Sequence, residues 1–551
     1  EQKQHIYDPE NLTLSYSFNE TEHHDFEVES MLDQQVRTSV DYNYAFKPKS
    51  IEPLKNVGFM KKSQYWKMLS DFNFSYLPSN INFSTNIIRQ FNRQQFRNVE
   101  VEGSPISPLY RRNYFFNYQY GFNYNLTKSI KMNYSAATSN IVRNYLDEQG
   151  RPIQEYTIWE DFWNVGEPNT HTQQYNISYD VPINKIPALS FVKATYQYSG
   201  TYNWIRSNDA LRSIVDNGIT YDLGNTIQNN NSHKLNTALN MDMFYKYIGL
   251  TGKKPAKTPN IPKAAPKPGE KITAAPKPAS GNNAFLDGLI GVVTSVKKVD
   301  ITYVENNGTL LPGYLPDVGF FGTMKPNLGF IYGSQDADVR REAAERGYLT
   351  MYPYYNQNFM QNTTKTLTLT ANVDLFPDFK IDLNANRTYG NNYSEQYDVD
   401  ETGYNVRSPY EFGNFEISTI LIKTAFSQSD INGSEAFNQM RENRIVVADR
   451  LAEKHYGAGN VPRYNVVGQD PYAGSDFSRA NAGYPLGYGR NSQAVLLPSF
   501  LAAYSGQDAS KVSTGILRSV PLPNWLVKYT GLMRYKLSVS LYNIVMKQAI
   551  T

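Results

Sequence analysis

Residues 114 to 126 run Tyr114, Phe115, Phe116, Asn117, Tyr118, Gln119, Tyr120, Gly121, Phe122, Asn123, Tyr124, Asn125, Leu126. Every second position from Tyr114 to Leu126 is aromatic or aliphatic, and most of those between are amides. Side chains of a strand point alternately to opposite faces, so this period of two predicts a long strand with one aromatic face and one water-facing face.

The same pattern recurs outward from this stretch. Leu12, Leu14, Tyr16 and Phe18 alternate with Thr13, Ser15 and Ser17, and Val36, Val40, Tyr42, Tyr44 and Phe46 with Arg37, Ser39, Asp41 and Asn43. Ala194, Tyr196, Tyr198, Tyr202 and Trp204 oppose Lys193, Thr195, Gln197, Ser199 and Asn203, while Leu367, Leu369, Ala371, Val373 and Leu375 oppose Thr366, Thr368, Thr370, Asn372 and Asp374. Matches of this kind give roughly fifteen candidate strands, many of about 9 to 13 residues. Strands of soluble sandwiches run about 5 or 6 residues, whereas a tilted membrane-crossing strand needs about 9 to 11.

The predicted connections alternate in length. Pro78 to Asn80, Thr127 with Lys128, Pro182 to Pro187, and Phe376 to Asp378 are short, whereas 93–112, 141–172, 205–232 and 390–411 are long. Short turns at one end and long loops at the other are the habit of an outer-membrane barrel, whose periplasmic turns are short. The expected fold is therefore all-β: part of a very large transmembrane antiparallel up-and-down β-barrel with long external loops and a few short helices. Lipid-facing candidates are Tyr114, Phe116, Tyr118, Tyr120, Phe122, Tyr196, Tyr198, Leu367 and Leu369. Lumen-facing candidates are Asn117, Gln119, Asn123, Lys193, Thr195, Gln197, Thr368, Asn372 and Asp374. The competing reading makes the aromatic stripe the core of a soluble all-β domain, but the loops look too polar to cover so much of it.

Composition agrees with a strand-rich chain. Of 551 residues, 43 are Tyr, 28 Phe and 55 Asn, and none is Cys, which excludes disulfides, thiolate zinc sites and a Cys nucleophile. Mean hydropathy is −0.54 and no apolar run is long enough for a membrane-spanning helix, a test that membrane strands escape. The net charge of +3 conceals a local surplus: Lys253, Lys254, Lys257, Lys263, Lys267, Lys271 and Lys277 stand against Glu270 alone within 253–283, leaving the rest slightly acidic. No basic surface for nucleic acid is expected. That window also holds seven Pro and reads as a semi-rigid linker, on the periplasmic side by parity, either a solvated spacer or a site for anionic partners. With Glu1 at its start and no signal peptide, the chain reads as a mature product or as part of something longer.

The domain reading places barrel strands with long external loops in 1–252, the linker in 253–283, and further strands in 284–426 with an external insert at 303–362. A loop or cap insertion fills 427–524, and 525–551 returns to strand. The side of the excursion 47–63 stays open. Turns are expected at Asp147 to Gly150, Asn306 to Gly308, and Asp400 to Gly403, where Gly permits positive φ. Helices are expected over 335–346, after Ser334, and over 435–456, between Ser434 and Gly457, the latter packing through Phe437, Met440, Val447 and Leu451 with Arg441, Glu442 and Arg450 in water.

Catalytic chemistry is hard to find. His5, His23, His24, His171, His233 and His455 have no helical zinc spacing; Glu20, Glu22, His23, His24 and Asp25 suit a polar turn better than a metal site, and Asp398, Asp400 and Glu401 suit a hairpin better than a calcium loop. No phosphate-cradling loop or nucleophile elbow is present. Neither an enzyme nor a cofactor is expected.

Several ordered segments carry a resemblance: Pro108-Leu109-Tyr110-Arg111-Arg112-Asn113, Asn140-Ile141-Val142-Arg143-Asn144-Tyr145, Gly487-Tyr488-Gly489-Arg490-Asn491, Phe500-Leu501-Ala502-Ala503-Tyr504-Ser505-Gly506, and Pro523-Asn524-Trp525. Together they resemble the C-terminal portion of the SprA/Sov family, gliding-motility and cell-surface proteins of Bacteroidetes. The resemblance implies an outer-membrane location and the role of protein-conducting translocon of the type IX secretion system, passing folded proteins that bear a C-terminal export signal, the gliding adhesin among them. It implies as partners a PorV-type outer-membrane barrel, a plug protein, other components of that system and the exported proteins, in a lipid bilayer. The chain departs from the family in being much shorter and in lacking a terminal aromatic residue. Segments 427–524 and 303–362 are then candidates for inward loops that gate the lumen. The alternatives are a TonB-dependent nutrient receptor, for which no plug domain is recognisable, and a surface adhesin.

Overall fold

The computed structural model describes the chain apart from residues 1–4, 58–65, 99–105, 143–156, 161, 251–289, 377, 419–428, 431–432, 458, 515–520, 522 and 532–551. The Lys/Pro linker, the turn at 147–150 and most of 525–551 thus lie outside the described residues. Alternation does produce strands, and they assemble into one antiparallel sheet of thirteen. In chain order these are β1 (Leu12–His23), β2 (Val28–Ala45), β3 (Asn80–Phe96), β4 (Leu109–Tyr124), β5 (Ile130–Ile141), β6 (Glu167–Val181), β7 (Val192–Ile205), β8 (Asn225–Asn240), β9 (Val296–Tyr314), β10 (Asn358–Phe376), β11 (Phe379–Asp400), β12 (Gly403–Ile417) and β13 (Asn524–Tyr529). Each of the first twelve pairs with its neighbour in sequence, as in a meander, and among the described residues the sheet does not close: the outer edge of β1 is free.

One end of the sheet, here the lower, carries the turns 125–129, 182–191 and 377–378; the upper end carries 142–166, 206–224 and 315–357. The connection 46–79 lies at the lower end, where the amide of Ser75 donates to Leu126, that of Ser79 to Asn123, and Lys128 Nζ stands 2.7 Å from Glu52. Both described flanks of the linker, helix α1 (Met241–Tyr247) and residues 290–295, sit at that end too. Two long connections therefore interrupt the short-turn end.

Several expected boundaries shift. Residues 390–411 are no loop but the tip of the β11–β12 hairpin, which turns at 401–402. The triplet Asn306 to Gly308 lies inside β9, paired with Ser232, Asn231 and Asn230: Asn306 and Gly308 belong to the polar face, and Asn307 faces the other way, donating to Asn231 beneath the loop at Gly333. The insert expected at 303–362 is confined to 315–357, because its ends continue β9 and β10. It contains α2 (Leu328–Ile331) and α3 (Val339–Glu345), the latter starting after Asp338 and not at Ser334. This loop folds back on the face of Tyr118, Tyr175 and Tyr202, opposite the face read as lumen-facing, so the expectation of an inward loop is corrected.

Helix α4 (Glu435–Tyr456) has the expected bounds, with Ser434 Oγ accepting the amide of Phe437 at 3.4 Å. Val447 and Leu451 are buried, but Phe437 is exposed, and Arg450 donates to the carbonyls of Ala509 and Val512 where a solvated side chain was expected. The partner of α4 is α5 (Gln493–Ser505), whose Val495, Leu501 and Ala502 join Val447, Ala448 and Leu451 in a small core. Pro498 and the surrounding Gly hide this helix in the sequence.

The insertion also has an unforeseen place. β12 ends with Ile417 opposite Arg387, and β13 resumes with Asn524 opposite Asn384, running the same way along the same strand. β12 and β13 are one strand, interrupted by residues 418–523.

Candidate functional site

Cross-strand register sorts the sheet into two faces. One row runs Asn123, Asn133, Asn176, Ser199, Ser232, Asn306, Thr364; the adjacent row, on the other face, runs Tyr124, Met132, Ile177, Tyr198, His233, Glu305, Lys365. Followed through these pairings, the residues read as lumen-facing, from Asn117 to Asp374, all fall on the polar face, and those read as lipid-facing, from Tyr114 to Leu369, all fall on the apolar one. The polar face is a carpet of amides and hydroxyls joined across strands: Asn123 Nδ2 donates to Asn80 Oδ1 at 2.6 Å, Thr195 Oγ1 to Asp180 at 3.1 Å and Asn372 Nδ2 to Asp382 at 2.9 Å.

The apolar face divides by height. Upward from the lower end, the first Asp, Glu, Lys or Arg on this face is Glu20 on β1, Arg89 on β3, Arg112 on β4, Glu305 on β9, Lys365 on β10 and Arg387 on β11, eight to twelve residues above Leu12, Asn80, Tyr124, Val296, Phe376 and Phe379 respectively. The bulge residue Lys297, one residue above Val296, is the exception at the lower rim of the band, where its Nζ lies 3.3 Å from Asp242. The upper limit follows the lower ends of the strands and not the rows, since Lys365 shares a row with Tyr124 although Arg112 limits β4. The strands are staggered steadily: Leu12 lies in the row of Gln361, nine strand steps away and fifteen residues above Phe376. At about 3.3 Å per residue and about 4.8 Å per strand, this is a tilt of roughly 50°. The uncharged band is then roughly 17 to 25 Å tall. At its lower rim Phe376, Phe379 and Tyr529 cluster, as do Phe191, Phe244 and Tyr245.

From within the band upward, loops clamp the same face. Tyr175 Oη donates to the carbonyl of Ile331, Asn229 Nδ2 to Phe330 and Ser334, and Asn231 Nδ2 to Gly333, while Phe330, Ile331, Val339 and Leu349 pack on Tyr202, Trp204, Ile227 and Leu311. The ring of Tyr175 lies over Gly200, its partner on β7, where a Cβ would come within 2.3 Å of the ring. Arg89, fully buried, donates to the carbonyls of Phe115, Phe162 and Asn164, tying Phe162 and Asn164 to the sheet. Glu395, 0% exposed, meets Arg340 Nε of α3 at 2.5 Å and accepts from Tyr404 and Tyr393. Sequence reading missed both arginines and Glu395, since nothing local separates a buried charge from a solvated one.

The polar runs considered for metal serve turns. Asp25 Oδ1 accepts the amides of Glu27 and Val28, and the Val28 bond, followed by that from His23, holds its carboxyl below the usual range. Asp400 Oδ1 accepts the amide of Thr402 at 2.8 Å. Among the described residues no group of three His, Asp or Glu comes together to hold a metal ion. His171, fully buried, bonds Thr138 and Gln173. No protein-family model matches the chain, and no curated protein matches it.

Proposed function

We propose that this sheet is part of the wall of a wide outer-membrane β-barrel that conducts folded proteins, as the resemblance to the SprA/Sov translocons of type IX secretion implies. The observation that carries the membrane reading is the uncharged band. Its height compares with the apolar belt of about 25 Å on membrane barrels, its lower rim has aromatic clusters like their girdles, and the stagger of the strands is near the tilt of about 45° such strands adopt. A soluble protein would have to cover this band, yet Leu12, Leu14, Tyr16, Trp525 and Val527 stand exposed. The opposite face then lines water.

The reading of a protein-conducting pore rests on width and on the resemblance. Barrel diameter grows about linearly with strand number, and twelve successive strands here do not curl back to the free edge of β1 among the described residues. A lumen that wide is gated by partners and insertions, such as the PorV-type barrel, a plug protein and the unit 418–523. Depletion of the protein tests the function. Proteins with the C-terminal export signal should disappear from the cell surface and medium and collect, folded, in the periplasm; unchanged export with a fall in nutrient uptake would overturn the proposal in favour of a receptor.

A further inference from the structure

The loop 315–357 leaves β9 at the upper rim, where Trp204 Nε1 donates to the carbonyl of Pro316 and Asp317 faces Arg212 and Asn225. From there Val318 to Met324 carries no charge, bounded by Asp317 and Lys325. Gly319 and Gly322 exchange both backbone hydrogen bonds, at 3.1 and 3.0 Å, which closes a two-residue hairpin with Phe320 and Phe321 at its tip. Gly322 holds φ +88°, and a Cβ there would meet Gln173 at 2.2 Å, so only glycine lets the hairpin lie this close to the wall. Phe320 stacks on Tyr118 at 4.2 Å with its carbonyl accepting Tyr118 Oη at 2.8 Å, and Phe321 meets the edge of Tyr120 at 6.0 Å.

Tyr118 and Tyr120 lie six and four residues above the lower end of β4, within the uncharged band. The tip therefore descends along the outside of the wall to the depth of the band, and there Phe321 and Met324 are 78% and 77% exposed. Unpaired backbone polar groups are costly in hydrocarbon. Gly319 and Gly322 pair with each other and the Phe320 carbonyl accepts Tyr118 Oη, which limits that cost to the Phe320 and Phe321 N–H groups and the Phe321 carbonyl at the turn. Resting on the wall reading above, we infer that the Phe320–Phe321 hairpin is a membrane wedge: a loop tip immersed in the acyl chains of the bilayer, clipped to the outer surface of β4. Its ligand is lipid hydrocarbon, contacted by Phe321 and Met324.

The absence of Cys makes the test direct. Phe321→Cys, Leu369→Cys and Thr368→Cys are each labelled with nitrobenzoxadiazole in the full chain, inserted in phosphatidylcholine vesicles with or without doxyl groups on the acyl chains. The label at 321 should emit to the blue, lose fluorescence to the doxyl chains as the Leu369 label does, and resist iodide, which quenches the Thr368 label. Iodide quenching at 321 with doxyl quenching at 369 overturns the wedge and leaves the wall. Shielding at 321 from both quenchers means that protein covers the tip, and it too overturns the wedge. Iodide quenching at 369 means that the wall reading itself fails.

Discussion

Arg340 and Glu395 form a buried ion pair that joins helix α3 to the upper part of β11, with the Arg340 guanidinium also 4.7 Å from the centre of the Phe359 ring. Removing one partner strands the other charge in a site without water, which costs about 3 to 5 kcal/mol, whereas replacing both by apolar residues is often nearly neutral. Arg340→Met should therefore free the 315–357 loop, seen as new protease cleavage within it, and adding Glu395→Leu should restore most of the protection. At Leu369 and Thr368, neighbours in sequence on opposite faces, the wall reading gives opposite outcomes. Leu369→Arg should cost about 2 to 4 kcal/mol and Thr368→Arg little, measured by urea unfolding from vesicles. Equal costs would contradict the assignment of faces.

Among the connecting elements, 46–79 is fastened beneath the sheet by Glu52, whose carboxyl is held down at about 2, first by the hydrogen bond from Lys128 and then by that from Lys55. A carboxylate depressed in the folded state contributes stability that is complete above its unfolded value, about 4.3, and is lost as pH falls through the folded one. Amide exchange in residues 50–57 should accordingly be constant from pH 7 to about pH 5, rise below that relative to intrinsic rates, and reach its limit below about pH 2; Glu52→Gln should show that limit at every pH. The strands themselves were legible in the sequence because period two survives wherever one face is apolar, and it assigned Tyr114 and Asn117, or Leu369 and Thr368, to opposite faces. Strand ends were less legible. Asn306 to Gly308 carries turn residues within a strand, since the polar sheet face accepts Asn306 and Gly308 as a turn would, and Asn307 on the other face is held by Asn231 under the loop. Helix α5 was hidden by Pro498, and the clamps at Arg89 and Glu395 depend on partners far away in the chain.

At the scale of the molecule, the stagger that tilts the strands and the slanting upper limit of the uncharged band are the same geometry seen twice, once in backbone register and once in side-chain chemistry. The interruption between Ile417 and Asn524 falls at the height of that band, beside Ala385. Ile417, the last residue before the unit, lies on the apolar face opposite Arg387 and packs against the Val447, Leu451 and Leu501 core, so the unit leaves the sheet from that face, and a gating role requires it to reach over the rim to the mouth of the lumen. Deleting 418–523 and rejoining the strand should raise single-channel conductance in planar bilayers; unchanged conductance would remove the unit from the passage. The claim on which all of this depends is that the two faces of the sheet meet lipid and water, and accessibility along one strand tests it most directly. Single cysteines placed in turn at residues 366 to 373 should react with a membrane-impermeant maleimide at 366, 368, 370 and 372, and be quenched by doxyl lipid when labelled at 367, 369, 371 and 373. Uniform reactivity with the aqueous reagent along all eight positions would contradict the account.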